Sequence, residues 1–395
     1  MLQTANRGGG DRKPRRAMGW APLPLLLAGA LTASPAEDQE PLFPPAEPEE
    51  VGMSSEGLQH ALETAHQWVE DEEIMGGVLL VIRDGRKVMH EAFGLADRAE
   101  GIPMTTDHIF LTASMTKPMT GTAVLQLRED GLIDLDDRAS DYVPEFDTPE
   151  TRDITVRQLL THTSGLPAWT SGLDSDTHRI LVEAIAEAGL RAEPGEEFHY
   201  SDRGSTVLGY LVERVSGLPL MDYLERRILE PLAMEDSYFS TTSDAPRLER
   251  VPPRYRGSPG ELRRWQTSQG VGREYLGGSG GLYSTTLEYA RFLEAFRNGG
   301  ALGDVRLLPE ETVRYATRKH EDRPGGMYDY GLHWGIGLDG LDCDAISHGG
   351  SRGTMAYLDR DHDLMVLYFT QTRRTPTRVE MVQLVHDALE TENLR

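Results

Sequence analysis

The strand-forming sequence of this chain is divided between its two ends, and this division most constrains the fold. Two runs rich in Val, Leu and Phe occupy 78–83 and 87–93. The Asp84-Gly85 pair between them is typical of a tight hairpin turn. Two more apolar runs, 354–358 and 364–371, flank a charged turn near the other end. The simplest architecture joins both pairs in one antiparallel sheet.

Helical patterns border this sheet in the sequence. Apolar residues recur at helical spacing between 58 and 69, after Ser54 and Ser55, either of which can cap the helix. The segment 379–389 predicts a closing helix, and the middle of the chain is mostly helical and rich in loops. The expected fold is therefore α/β of the α+β type. Its antiparallel sheet is flanked by N- and C-terminal helices and carries a mostly helical insertion, a subdomain at about 130–275.

Charge and cysteine content exclude several functions. The 395 residues include 40 Lys and Arg against 64 Asp and Glu, a formal charge of −24 that would repel a nucleic-acid backbone. Cys343 is the one cysteine, so neither an intrachain disulfide nor a multi-cysteine zinc cluster can form. No sequence pattern calls for a cofactor or predicts a metal site, and the oligomeric state is left open.

The first fifty residues have the pattern of an export signal and a linker. A basic stretch at 12–16 precedes an apolar run at 17–33, which is too short and proline-interrupted for a good membrane span. Cleavage is expected near Ala36, so residues 1–36 form the signal peptide. The Glu- and Pro-rich segment 37–50 is an extended linker, and 51–395 is the folded domain. The mature protein is expected to be secreted or periplasmic.

Ser114 and Lys117 form the first candidate catalytic pair. Three residues apart, they share one face of a helix, where the amine can reach the hydroxyl and, if neutral, take its proton. Pro118 lacks the N–H that a helix interior needs, so it places Ser114 at the helix start. The free N–H groups there favour a developing anion. Alone, this short motif also fits an ordinary surface helix.

Tyr200 and Asp202 supply a second candidate stretch. They follow the turn Pro194-Gly195 and precede an apolar helix at 207–215, so Tyr200 is expected at a loop edge facing the same cleft. A phenol has an ordinary pKa of about 10. We expect the ammonium of Lys117 to lower this pKa enough for Tyr200 to act as a base.

The stretch from His348 to Ser351 completes the set. Gly349 and Gly350 precede the strand at 354–358 and would let a substrate approach its edge closely. The backbone N–H of Ser351, paired with that of Ser114, would form an oxyanion hole.

In order and spacing, these three stretches resemble the β-lactamase-related serine hydrolases. That group contains class C β-lactamases, D-alanyl-peptide hydrolases and family VIII carboxylesterases, and the resemblance covers about residues 52–390. It implies a β-lactamase/transpeptidase-like fold without a cofactor. It also implies that Ser114 is the acylated nucleophile, Lys117 its base partner and Tyr200 the general base.

Two residues that differ from the pattern of the lactamases favour one class of substrate over another. His348 takes the place of a lysine that helps to bind the carboxylate of β-lactams, and Asp202 stands where asparagine is usual. An anion at Asp202 would weaken the binding of an anionic drug. The sequence therefore favours an ester with a short or medium acyl group, ahead of a D-amino-acid peptide or amide and then a β-lactam. A catalytically silent binding or scaffold protein on this fold is the alternative from another class.

Two other motifs in the sequence offer competing interpretations. Gly277-Gly278-Ser279-Gly280-Gly281 fits the G-x-S-x-G nucleophile elbow, but an elbow needs a buried strand before the serine and a helix directly after it. Asp359, Asp361 and Asp363 copy the opening of a calcium loop that lacks its glycine and its closing glutamate. A tightly packed turn and a solvated hairpin turn are the preferred interpretations.

Overall fold

The two ends of the chain meet in one eight-stranded antiparallel sheet. The structure is a computed structural model that describes residues 41–168, 178–239, 247–265, 277–322, 326–373 and 376–390. Within these residues the strands are β1 (Gly76–Arg83), β2 (Arg86–Asp97), β3 (Ile102–Pro103), β4 (Phe110–Leu111), β5 (Tyr255–Arg256), β6 (Arg263–Arg264), β7 (Tyr283–Ser284), β8 (Ala301–Leu302), β9 (Val305–Arg306), β10 (Asp329–Tyr330), β11 (Gly335–Leu338), β12 (Leu341–Gly349), β13 (Met355–Asp359) and β14 (Leu364–Thr370). The sheet order is β10-β11-β12-β13-β14-β1-β2-β3.

Helices cover both faces of the sheet. In the described part of the chain they are α1 (Ser55–Glu70), α2 (Lys117–Glu129), α3 (Val156–Leu160), α4 (His178–Glu187), α5 (Asp202–Ser216), α6 (Leu220–Leu224), α7 (Thr286–Arg297), α8 (Glu310–Ala316) and α9 (Thr377–Asp387). The predicted first and last helices correspond to α1 and α9. Ser54 caps α1, since its hydroxyl accepts a hydrogen bond from the Gly57 N–H at 3.1 Å.

The pairing of β1 with β14 joins the two ends of the chain. The register places Leu80 opposite Leu367 and Val81 opposite Val366. Both strands are buried almost throughout because each face of the sheet is covered, which explains their continuous apolar sequence. At the N-terminal hairpin, Asp84 and Gly85 both have positive φ, as the predicted tight turn requires.

Two hydrophobic cores lie on opposite faces of this sheet. One contains Leu79 and Val366 with apolar residues of α1 and α9, so the terminal helices share one face as predicted. The other contains Leu80 and Leu367 with residues of the inserted helices. In α2, every residue from Lys117 to Leu127 is buried, so this helix runs through the interior of the protein.

The folded unit begins before the predicted domain limit at residue 51. The described residues from Leu42 onward form one structural unit. Within the predicted linker 37–50, Phe43 is buried in the hydrophobic core and Pro45 pairs with Lys87 of β2. The signal peptide and residues 37–40 lie outside the described residues. The region 130–275 contains α3 to α6 and the small β5–β6 hairpin, and its boundary as a subdomain stays a prediction. None of the described helices combines the length and the apolar character that crossing a membrane requires.

The central strands should dominate stability. Leu367 is fully buried, so Leu367→Ala is expected to lower the free energy of unfolding by about 2–5 kcal/mol through lost burial and the remaining cavity. Leu132 is 43% exposed, so the same change there should cost less than about 0.5 kcal/mol. Urea unfolding monitored by circular dichroism measures both values. Equal losses would contradict the assignment of β14 to the core.

Candidate active site

Ser114 lies in a tight turn directly before the buried helix α2. Residues Ala113–Thr116 form a 3₁₀ turn in which the Lys117 N–H donates to the Ser114 carbonyl. Pro118 occupies the first turn of α2, as its missing N–H predicts. Ala113 has a φ of +50°, a left-handed conformation that costs a non-glycine residue about 1–2 kcal/mol. The backbone is therefore strained immediately before the candidate nucleophile.

Lys117 projects from the start of α2 into a set of oxygen atoms. Its Nζ lies 3.4 Å from Ser114 Oγ, 2.7 Å from Asp202 Oδ1 and 3.1 Å from the Ser279 carbonyl oxygen. The side chain is completely buried, and that of Asp202 is 17% exposed. Lys117 therefore holds the candidate nucleophile and a carboxylate together.

The carboxylate keeps Lys117 protonated. Burial alone would lower the pKa of Lys117, but the interactions of its ammonium with Tyr200 and with the Asp202 carboxylate outweigh burial and raise that pKa above the ordinary value. Burial raises the pKa of Tyr200 to about 12, although the ammonium of Lys117 opposes the rise. Tyr200 is therefore neutral at neutral pH, and Asp202 supplies the negative charge that stabilises the ammonium.

The structure corrects the expectation that the pKa of Tyr200 would be lowered. The Lys117 Nζ lies 4.7 Å from the centre of the Tyr200 ring, so the predicted contact exists. Its effect on the phenol is smaller than the cost of desolvating a phenolate, because the partly buried ring packs against His162 and Tyr330. A buried environment of this kind has no signature in the local sequence.

Asp202 also differs from its predicted role. It is the first residue of α5, whose cap is Ser201, and its N–H donates to the Ala168 carbonyl at 2.7 Å. The carboxylate forms an ion pair with Lys117. Its charge is therefore compensated within the protein, which removes much of the repulsion that the sequence argument assigned to it.

A hydrogen-bonded network runs beneath Tyr200 and includes His348. The Ser201 N–H donates to His162 Nδ1, so His162 carries its proton on Nε2 and donates to the Tyr330 hydroxyl; both bonds are 3.2 Å long. The Tyr330 hydroxyl also forms a hydrogen bond with His348 Nε2 at 3.2 Å, while His348 Nδ1 donates to the Gly349 carbonyl at 3.1 Å. We call these three side chains, His162, Tyr330 and His348, the histidine–tyrosine network.

His348 is consequently not a surface group. It is completely buried, and both of its ring nitrogens have partners. A role of His348 in substrate binding stays a prediction. Sequence reasoning also missed Tyr330, which lies between the two histidines; a tyrosine at 330 carries no local signal that distinguishes it from a core residue.

Gly350 brings the loop before β13 against the segment that carries the nucleophile. A Cβ at Gly350 would lie 2.2 Å from the Thr112 carbonyl oxygen, so only glycine fits. The Thr354 hydroxyl donates to that same carbonyl at 3.1 Å. Thr112 is two residues before Ser114, and Ser351 directly follows Gly350. The two segments that would supply an oxyanion hole are therefore in contact.

Ser279 belongs to the surroundings of Lys117. It is buried, and its carbonyl accepts a hydrogen bond from Lys117. A Cβ at the preceding Gly278 would lie 2.7 Å from the Ser205 carbonyl oxygen, as the predicted tight turn requires. The next helix, α7, begins only at Thr286, so the arrangement after Ser279 is not a nucleophile elbow. The residues 266–276 before it lie outside the described part.

Comparison with known proteins agrees with this geometry. The sequence profile described as Beta-lactamase matches residues 61–390. The chain belongs to the β-lactamase family of serine hydrolases. Esterase EstB of Burkholderia gladioli is 31% identical to this family member over 78% of the chain and 88% of its own length. A Salmonella agona protein, provisionally named a D-alanyl-D-alanine carboxypeptidase, is 26% identical over 89% of the chain and 90% of its own length.

Solved structures share the fold of this β-lactamase-family chain. EstCE1, a hydrolase with promiscuous acyltransferase activity, superposes with a TM-score of 0.73 at 24% identity, covering 85% of this chain and 99% of its own. The D-amino acid amidase of Ochrobactrum anthropi SV3 gives a TM-score of 0.71 at 23% identity, covering 86% and 99%. The β-lactamase/transpeptidase-like fold predicted from the sequence is confirmed.

The Lys117–Asp202 ion pair makes a testable contribution to stability. Asp202→Asn leaves a buried ammonium without its counter-charge, which should lower the free energy of unfolding by about 3 kcal/mol near pH 7. Without the carboxylate, burial should lower the pKa of Lys117 below its unfolded value of about 10.4. The unfolded state of the variant then binds more protons than its folded state, so the free energy of unfolding of the variant rises with pH. The difference from the unmodified protein therefore shrinks towards about pH 10.

Urea unfolding of both proteins at the two pH values measures this change. Asp136→Asn is the matched control, since Asp136 pairs with Arg157 while 72% exposed and should contribute less than about 1 kcal/mol. A deficit for Asp202→Asn that is as small as the control's would contradict the assignment of a buried pair.

Proposed function

We propose that this protein is a carboxylesterase for short or medium acyl esters that acts through an acyl-enzyme on Ser114. In this proposal Ser114 is the nucleophile, and Lys117 with Tyr200 forms the proton-accepting pair. The N–H groups of Ser114 and Ser351 stabilise the oxyanion. The contact between the Gly350 loop and Thr112 supports that last assignment.

Acylation begins when Ser114 Oγ attacks the ester carbonyl carbon. Its proton passes to the Lys117–Tyr200 pair, whose members titrate as a unit because they are in direct contact. The tetrahedral intermediate then expels the alcohol, which takes the proton. In deacylation a water molecule attacks the same carbonyl carbon, gives its proton to the pair and releases the carboxylic acid from Ser114, which recovers its proton.

The burial of His348 and the contacts of its ring nitrogens are the observations that favour an ester substrate over a β-lactam. The resemblance to lactamases expects a lysine at this position for a substrate carboxylate, and here a buried imidazole has both nitrogens engaged by Tyr330 and Gly349. A neutral acyl ester needs no cation there. The similarity to esterase EstB of Burkholderia gladioli supports the same choice.

The discriminating experiment compares three chromogenic substrates with the enzyme that begins at residue 37. We expect kcat/KM for a short p-nitrophenyl ester to exceed that for a cephalosporin and for a D-amino-acid anilide. Rates of the Ser114→Ala variant are subtracted as the blank. Preferred turnover of the cephalosporin would refute the proposal and identify a β-lactamase.

Replacement of the nucleophile should separate activity from stability. Ser114→Ala is expected to reduce kcat for the ester by at least about a thousandfold. Its free energy of unfolding should change by less than about 1 kcal/mol, because Ser114 is only partly buried and its contact with Lys117 is long, at 3.4 Å. Mass spectrometry of the unmodified enzyme with a fluorophosphonate should find the added mass on Ser114. Normal turnover by the variant would disprove the assignment.

The rise of kcat/KM with pH, the acid limb of the profile, should report the loss of a proton from the buried Lys117–Tyr200 pair. With the pKa of Tyr200 raised to about 12 and Lys117 held protonated, one proton must leave before the pair can accept that of Ser114. We therefore expect kcat/KM to rise with pH between about pH 6 and 10. Asp202→Asn removes a negative charge, so that proton leaves more easily and the limb moves to lower pH.

Ester hydrolysis by both proteins, corrected with the Ser114→Ala blank, measures the two limbs. Circular dichroism at each pH establishes that the variant is folded. Superimposed limbs would mean that Asp202 does not control the protonation of the pair.

A D-amino-acid peptidase or amidase is the second candidate, and one group of residues favours it. In a chain with a formal charge of −24, four guanidinium groups surround the Trp265 ring at 4.4–5.6 Å: those of Arg254, Arg256, Arg352 and Arg373. Arg352 directly follows Ser351, so this positive patch adjoins the proposed oxyanion hole and suits a substrate carboxylate.

Replacing Arg352 tests this second candidate. Arg352→Gln should raise KM for a carboxylated peptide and leave KM for a neutral ester unchanged.

We also propose that the protein is exported. The basic stretch at 12–16 and the apolar run at 17–33 support this proposal. N-terminal sequencing of the mature protein tests it, with a start near residue 37 as the expected result. A cytoplasmic protein that keeps its first residue would overturn it.

A further inference from the structure

A cluster of metal-ligating side chains lies at the other end of the strand that carries His348. Cys343 is on β12, Asp359 ends β13 and His386 is in the last turn of α9. One ligand atom from each lies within 4.8 Å of the other two. These residues are far apart in the sequence and meet only because β12 pairs with β13 and α9 packs over the sheet.

The carboxylate of Asp359 is the centre of this cluster. Its side chain is completely buried, and its Oδ1 accepts backbone N–H groups of Asp361 and His362 at 2.9 and 3.1 Å. The Nδ1 of His362 lies 2.7 Å from Oδ2. Asp359 is therefore held in one orientation by its own hairpin turn, as the carboxylate ligand of a metal is in many proteins.

His386 joins the cluster through the carboxylate of Asp359. Its Nε2 is buried and lies 3.3 Å from Asp359 Oδ2 as an ion pair. The Cys343 Sγ lies 3.0 Å from the Tyr357 hydroxyl and close to the same two ligand atoms. A thiol, an imidazole nitrogen and a carboxylate oxygen thus converge on one point.

We propose that Cys343, Asp359 and His386 bind a divalent transition-metal ion of the zinc class. Zn²⁺ combines sulfur, nitrogen and oxygen ligands at about 2.0–2.3 Å, which places tetrahedral ligands about 3.3–3.7 Å apart. The observed separations, all within 4.8 Å, need to contract by about 1.5 Å at most. His362 stays outside the ligand set and orients Asp359, and water takes the fourth position. On binding, the metal replaces the thiol proton of Cys343, which is released to the solvent.

The consequence of such a site is structural. The ion would link β12 and β13 to the last turn of α9 and so fix the C-terminal helix on the sheet. Cys343 precedes His348 by five residues on β12, a distance of about 17 Å along an extended strand. Metal binding is therefore independent of the proposed esterase reaction.

Cobalt binding tests the proposal directly. The tag-free protein, treated with a chelator and dialysed, is titrated with Co²⁺. We expect one ion per chain and a thiolate-to-cobalt charge-transfer band that added Zn²⁺ abolishes. Because Cys343 is the single cysteine of the chain, the band reports this site alone. It should be lost in Cys343→Ser, and its absence in the unmodified protein would overturn the proposal.

Thiol reactivity gives a second measurement that retains Cys343. Zn²⁺ should slow the reaction of the thiol with Ellman's reagent at least tenfold in the unmodified protein and in His60→Asn, which changes an exposed histidine of α1. His386→Asn should abolish this protection while ester hydrolysis stays unchanged. Protection that persists in His386→Asn, or that disappears in His60→Asn, would refute the ligand set.

Discussion

The buried ion pair between Lys117 and Asp202 is the interaction on which the site depends. Desolvating an ammonium costs several kcal/mol, and here the cost is offset by a carboxylate at 2.7 Å and by a backbone carbonyl. The two charges belong to the first turns of α2 and α5. Their attraction therefore holds the first turns of the two helices together, and this contact positions Ser114 just before α2.

Two histidines near this pair, His333 and His162, are neutral rings. Burial and the nearby ammonium lower the pKa of His333 to about 3. The ring is therefore neutral, and its Nδ1 donates a hydrogen bond to the Lys117 carbonyl at 3.1 Å. The hydrogen bond from the Ser201 N–H to Nδ1 likewise requires a neutral imidazole at His162. Lys117 is therefore buried without a protonated His162 or His333 beside it.

What the sequence predicts well is local or periodic. The Ser114–Lys117 spacing and the Asp84-Gly85 turn act within a few residues, and the apolar runs at the chain ends identify the sheet. Burial depends on contacts that no local pattern encodes, so the local sequence predicts the wrong direction for the pKa shift of Tyr200 and carries no sign that His348 is buried. Cys343 and His386 are far apart in the sequence, so no local pattern predicts that they lie close together.

The union of the chain ends in the sheet determines when folding can finish. Met75 donates a hydrogen bond to Thr372, 297 positions further along the chain, and the same pairing continues through β1 and β14. Closing so large a loop comes late because its entropy cost precedes the contacts that repay it. A ribosome must therefore complete almost the entire polypeptide before β1, which already pairs with β2, obtains its second partner β14, and until then the middle of the sheet has an open edge.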